Sequence, residues 1–291
     1  MLMPEIDKYK IRSSFSKAAP RYDIFASFQN EMAEELIDKI IAHCPLPLAP
    51  IRILDIGCGT GFLSYGLADK FPDANIFGCD ISHSMIKTAS CKLQVARDKK
   101  IHLITTDGGI LPCKNDTFDI AASNLTYQWI GNLEGSFREA YRVLKQGGGF
   151  IFSTLGPETL RELRQCYLDA STIARKDGLP PFMGFAEQDT IQSTLESIGF
   201  KNISIETTNM IKTYPDMWGL LKSIKSIGAG NPFKDGDKSL ARGSILKKMA
   251  EIYEDRFKIQ DSRFKTCNLQ LATRNCIYAT YEVMFVKALK L

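Results

Sequence analysis

Three glycines, Gly57, Gly59 and Gly61, stand at alternate positions directly after the apolar run 51–56, which carries an acid at Asp55. A chain stripped of side chains there lets a ligand approach the backbone and tolerates positive φ. Nicotinamide dinucleotides, nucleoside triphosphates and S-adenosylmethionine all exploit Gly-rich turns, so spacing must choose among them. The dinucleotide fingerprint G-x-G-x-x-G fails because Phe62 stands where its third glycine belongs. The phosphate loop G-x-x-x-x-G-K-[ST] fails too: Gly61 and Gly66 have the gap, but Leu67 replaces the lysine. What remains is acid-x-G-x-G-x-G, here Asp55, Gly57, Gly59 and Gly61 around Cys58.

Two further acids extend the pattern. Asp80, followed by Ile81, closes the next apolar run about 20 residues past the glycines, where a carboxylate can accept hydrogen bonds from ribose hydroxyls. Asp107, before Gly108, follows the third run and can accept from an adenine amino group. Asn124 ends the fourth run and opens NLTYQW, so that Tyr127, Gln128 and Trp129 can face a reacting centre. A single acid at a strand end is commonly a helix cap or a loop residue. Three acids closing successive strands of one sheet argue for one shared ligand.

Such residues meet only if the strand ends converge. Runs 51–56, 75–80, 101–105, 118–124 and 149–155 read as buried strands, with helical patterns at 62–71, 84–96 and 133–145 between most of them. A further helix is expected over 29–42, where Met32, Leu36, Ile37, Ile40 and Ile41 recur at helical spacing. After Leu155 the pattern predicts helices over 159–178 and 187–199, then strands over 201–214 and 276–290. Alternation of this kind gives an α/β fold, a doubly wound, mostly parallel sheet whose ligand crevice lies at the strands' carboxyl ends. The stretch 215–275 is too long for an ordinary loop and reads as a helical cap.

The 291 residues have room for one large α/β domain with an inserted cap, and 44% hydrophobic with 24% charged residues is ordinary globular composition. A net charge of +4 is too weak to imply nucleic acid but suits one basic patch. The eight cysteines form no C-x-x-C pair, and His43, His83 and His102 lack metal-ligand spacing, so no metal is expected and the cysteines read as thiols in a reducing compartment. With no apolar leader at the start and no run of about 18 apolar residues, a cytoplasmic chain without a membrane partner is expected.

Residues 55–155 resemble the class I S-adenosylmethionine-dependent methyltransferases. FSKAAPRYD, SNLTYQW, FREAYRVLKQGG, FSTLGPETLREL, LLKSIKSIGAGNP and YATYEVMFVKAL are similar to the biotin-pathway malonyl-acyl-carrier-protein O-methyltransferases. The resemblance implies a Rossmann-like, seven-stranded sheet. It divides the chain into a helical lid (1–45), a cofactor-binding core (46–214), the cap (215–275) and a final core strand (276–291). S-adenosylmethionine is then the cofactor, held by Asp55, Gly57, Cys58, Gly59, Gly61, Asp80, Ile81, Asp107, Gly108 and Asn124. Tyr22, Gln128 and Trp129 would wall the reacting centre. Methyl transfer to a carboxylate that is already ionised at neutral pH needs positioning and a dry pocket rather than a general base.

The same resemblance makes malonyl-acyl-carrier protein the partner. Lys222 and Lys225 lie i,i+3, where one can meet the malonyl carboxylate or a pantetheine phosphate. With Arg161, Arg164, Arg242, Lys247 and Lys248 they form a candidate basic rim for an acidic carrier. Relatives with this fold leave two other readings open: a methyltransferase acting on a quinone or small acid, and a respiratory-complex assembly factor that binds the cofactor and modifies or escorts a protein.

Overall fold

A computed structural model describes residues 7–43, 50–93, 100–173, 184–229, 241–259 and 276–291. Its centre is one sheet of β1 (Arg52–Ile56), β2 (Asn75–Asp80), β3 (Ile101–Thr105), β4 (Phe118–Asn124), β5 (Leu144–Leu155), β6 (Lys201–Tyr214) and β7 (Ile277–Leu289). The spatial order is β3-β2-β1-β4-β5-β7-β6. β1 to β5 pair in parallel, whereas β7 runs antiparallel between β5 and β6. The order reverses at β1 and β4, so their carboxyl ends diverge to flank a crevice.

The central strands β1, β4 and β5 are apolar on both faces because helices cover both. Alternate residues separate into two cores. Ile53, Ile120, Ala122 and Ile151 face the first, and Leu54, Ala121, Phe150 and Phe152 face the second. The helices in chain order are α1 (Lys8–Ala18), α2 (Tyr22–Phe25), α3 (Ser27–His43), α4 (Phe62–Lys70), α5 (His83–Leu93), α6 (Leu133–Val143), α7 (Arg161–Ile173), α8 (Gln188–Ile198), α9 (Met217–Ser226) and α10 (Ala241–Phe257). α3, α4, α7, α9 and α10 contribute to the first core, while α6 and α8 close the second. On α6, Phe137, Ala140 and Val143 are buried at helical spacing. The Asn132 side chain caps this helix by accepting from the Gly135 N–H.

The expected strands are present within two residues at each end, except at β5. That strand begins at Leu144, five residues before the apolar run at 149. Leu144 pairs with Phe118 and Gly149 with Ile120, so the register shifts there and the intervening residues form a bulge. Gly147 within it has φ +78°. Local apolar content marks only the part of the strand beyond the bulge.

In the expected cap, α9 and α10 are helical, and Lys258 bridges to Ile277. Cys44, Cys267, the end of the helix expected over 159–178 and most of 256–275 lie outside the described residues.

Candidate functional site

The carboxyl ends of the strands open into a cavity of about 980 Å³. Of the expected cofactor residues, Gly57, Gly59, Asp80, Ile81, Asp107, Gly108 and Asn124 line it, as do Tyr22, Gln128, Trp129 and Lys225. Asp55, Cys58, Gly61 and Lys222 do not line it.

The glycine turn explains part of that division. Gly57 has φ +76°, and a Cβ there would meet the Thr126 side chain at 2.2 Å, so this glycine exists for packing. Gly59 has φ +54°, and a Cβ there would meet nothing within 4 Å. Its missing side chain leaves room on the cavity side. Gly61 caps α4 with φ +90°. Cys58 is buried beneath the turn, and burial holds its thiol well above the ordinary range.

Asp55 and Asp80 are held differently. Asp55 is 1% exposed; its Oδ2 accepts from the Ser64 hydroxyl at 2.6 Å, while buried Oδ1 has no partner among the described residues. Burial pushes its carboxyl up to about 7, against the opposing Ser64 bond. Asp80 accepts from the Gly59 N–H at 3.0 Å and from the Ser82 N–H at 2.7 Å. Burial raises it to about 6, although both backbone bonds favour the ionised form. The glycine backbone and the acid at the end of β2 therefore act as one unit.

The helices before β1 close over this unit. Asp23 accepts from the Thr60 hydroxyl at 2.5 Å and pairs with Lys92 at 2.8 Å, and Ser16 lies 2.9 Å from Ser82. Lys8 reaches Asp107 at 2.6 Å, while Asp107 also accepts from the Gly109 N–H at 2.9 Å. Lys8, Ile11 and Phe15 all line the cavity. Their i, i+3, i+7 spacing on α1 is the sequence signal that could have identified this face. Tyr22 sits in the wall with its hydroxyl kept protonated by burial, then by the nearby Asp80 and Asp23 charges.

Beyond β4 the expected wall is partly rearranged. Trp129 lines the cavity and meets Phe15 edge-on, with ring centroids 5.4 Å apart. Gln128 also lines it, but its amide is engaged by the fold: Nε2 donates to the Leu125 carbonyl at 2.7 Å, and Oε1 accepts from Thr154 at 3.3 Å. Asn124 is likewise occupied, donating to the Gln29 carbonyl at 2.9 Å and accepting from Ser153 at 2.7 Å. Tyr127 does not face the site. It is 3% exposed and packs on Phe137, Phe150 and Phe152, because the turn after β4 directs it into the second core.

The basic rim also divides. Arg161 pairs with Glu158 and Glu162, and Lys248 with Glu251. Lys222, Lys225 and Lys247 are exposed, Arg164 turns into the cavity, and the Arg242 side chain is outside the described residues. Sequence reasoning missed the pair Tyr214–Tyr281, whose hydroxyls lie 2.9 Å apart in the cavity wall. Only the pairing of β6 with β7 brings them together.

These residues fit S-adenosylmethionine. Gly59 leaves backbone space, Asp80 offers acceptor oxygens to a ribose, and Asp107 stands beside Gly108 at the next strand end. Asp55 Oδ1, buried and unpartnered among the described residues, lies beneath the turn and does not open to the cavity.

Comparison with known proteins agrees with this geometry. A family model described as "Methyltransferase domain" matches residues 54–152. The chain is 31% identical over 252 residues to the malonyl-[acyl-carrier protein] O-methyltransferase of Geobacter sulfurreducens, covering 87% of this chain and 92% of that protein. It is 32% identical over 284 residues to the biotin biosynthesis bifunctional protein BioHC of Saccharophagus degradans, covering 98% of this chain and 47% of that longer protein. Among solved structures, the YcgJ protein of Bacillus subtilis shares the fold at a TM-score of 0.60 and 18% identity, covering 88% of this chain and 98% of that one.

Proposed function

The chain belongs to the malonyl-[acyl-carrier protein] O-methyltransferase family, and from that premise we propose that it methylates the free carboxylate of a malonyl group carried on acyl-carrier protein or coenzyme A. The observation that carries this reading is a single cavity shared by two kinds of residue. One kind is the glycine turn with Asp80 and Asp107; the other is a wall of aromatic rings with the cations Arg164 and Lys225. The first suits a nucleoside-bearing cofactor and the second an anionic acceptor.

S-adenosylmethionine supplies an activated methyl group on a sulfonium. The protein's part is to hold, orient and exclude water. Asp80, already fixed by the Gly59 N–H, presents its carboxylate to ribose hydroxyls. Asp107 offers an acceptor at the adenine position once Lys8 shares it. Phe15, Tyr22 and Trp129 form an apolar wall that keeps bulk water from the acceptor.

No side chain has to remove a proton, since a carboxylic acid of reference pKa about 4 is ionised at neutral pH. His83 and His102 serve elsewhere, His83 lying 3.2 Å from the Thr105 hydroxyl and His102 stacked on Phe77. Catalysis on this reading is mostly positioning. The exposed Lys222, Lys225 and Lys247 would meet the acidic carrier. No described helix is long and apolar enough to cross a membrane.

The decisive experiment incubates the purified protein with S-adenosylmethionine and malonyl-acyl-carrier protein and weighs the carrier. A gain of one methyl group, reversed by esterase, is expected. No gain from protein that binds the cofactor would overturn the proposal.

A further inference from the structure

Four cations of the described residues line the cavity: Lys8, Arg164, Lys212 and Lys225. Lys8 is committed to Asp107 and Lys212 to Glu31. Lys225 is exposed on α9. Arg164 differs from all three.

It lies on the cavity face of α7, where Leu163, Arg164 and Tyr167 follow helical spacing and all line the space. Its Nη2 donates to the Pro157 carbonyl and, at 2.8 Å, to the Thr159 carbonyl. Those bonds fix the guanidinium without neutralising it, because carbonyls bring dipoles and no net charge. Among the described residues no carboxylate pairs with Arg164, and its Nε and Nη1 donors have no partner. A half-buried, oriented guanidinium with unused donors in a ligand cavity is built to receive a carboxylate.

We propose that Arg164 anchors the acceptor's carboxylate, the group that distinguishes a malonyl thioester from an acetyl one. This rests on the methyltransferase reading above. Guanidinium bonds to one carboxylate oxygen leave the other as nucleophile. Once that oxygen is methylated, the acceptor is a neutral ester and loses its ion pair with Arg164. The same residue thus selects the substrate and weakens the hold on the product.

The test measures, by calorimetry with S-adenosylhomocysteine present, the affinities of malonyl-acyl-carrier protein and of its methyl ester. It also measures methylation kinetics. The wild type is expected to prefer the free acid by about 10- to 100-fold, as for a hydrogen-bonded charged group. Arg164→Gln, which keeps donors for the Pro157 and Thr159 carbonyls, should erase that preference and raise KM for the malonyl carrier. S-adenosylhomocysteine affinity should not change. Arg164→Lys should recover part of the preference.

A wild type that binds the cofactor but methylates no malonyl carrier defeats the underlying reading. A wild type that methylates it, beside an R164Q variant that keeps its preference for the acid, defeats the inference alone. Equal losses of cofactor and acceptor binding in R164Q would also overturn it, because Arg164 would then be structural. If R164Q does not fold, Arg164→Met is judged on the same ratio. A preference lost in Lys225→Met and kept in R164Q would assign the anchor to Lys225 instead.

Discussion

Lys8 Nζ lies 2.6 Å from Asp107 Oδ2, tying α1 to the loop after β3, with both residues in the cavity lining. The lysine side chain is 51% exposed and the aspartate 26%, so water screens the pair. Its worth to the fold is at most about 1 kcal/mol. Its consequence is local: on the proposed reading, the carboxylate offered to the cofactor's base is shared with a lysine of α1.

Lys8→Ala should therefore leave the melting temperature almost unchanged while speeding cofactor dissociation. Stopped-flow fluorescence of Trp129, which lines the cavity, can follow this. The difference between wild type and variant should shrink at high salt. A salt-independent difference would mean that Lys8 acts by packing.

Gly57 and Gly59 should separate stability from binding. Gly57→Ala drives a methyl group into Thr126 and should destabilise the protein by about 2 kcal/mol or more. Gly59→Ala meets no atom and carries only the strain of φ +54°, roughly 1 kcal/mol. It should nonetheless weaken cofactor binding at least about tenfold, since the methyl group takes space left for the ligand. Denaturant melts and calorimetry on both variants check the contrast, and a Gly59→Ala protein with full affinity would refute it.

The raised carboxyls of Asp55 and Asp80 set a pH dependence. With folded values of about 7 and about 6 against roughly 4 in the unfolded chain, the folded protein retains protons that the unfolded chain has released. These two groups therefore make the ligand-free protein less stable as pH rises from roughly 4 to 7, after which their effect is constant. On the proposed reading, cofactor binding uses ionised Asp80 and should release protons within that window. Calorimetry near pH 6 in two buffers of different ionisation enthalpy measures this. Asp80→Asn should remove part of the pH slope and reduce cofactor affinity by about 10- to 100-fold.

Gln128 braces the turn after β4. Leu125 sits at φ +49°, and the Gln128 amide holds its carbonyl at 2.7 Å. Gln128→Ala should cost about 1 kcal/mol of stability and lower kcat by disordering Trp129. Adding Leu125→Gly, which relieves the positive φ, should restore part of both. A Gln128→Ala protein with native stability and kinetics would show that the amide braces nothing.

The sequence by itself determined the strands, most helices and the glycine turn. Alternating burial, helical spacing and turn chemistry are written in neighbouring residues. It also placed Asp80, Asp107 and Gly59 at strand ends that meet in one crevice, because a parallel α/β sheet aligns those ends. It could not tell which side chain of a local group faces the ligand. Asp55 lies beneath the turn and Tyr127 enters the second core, while Gln128 spends its amide on the backbone. Tertiary structure alone decided those orientations, the early start of β5, and the meetings of Lys8 with Asp107 and Tyr214 with Tyr281. The two meetings join chain segments far apart in sequence, whose relative placement is set by sheet order and core packing rather than by local pattern. Arg164 shows the distinction most directly. A sequence makes it one more basic residue on a helix, and the packing of α7 against α10 and β7 turns it from the rim into the cavity.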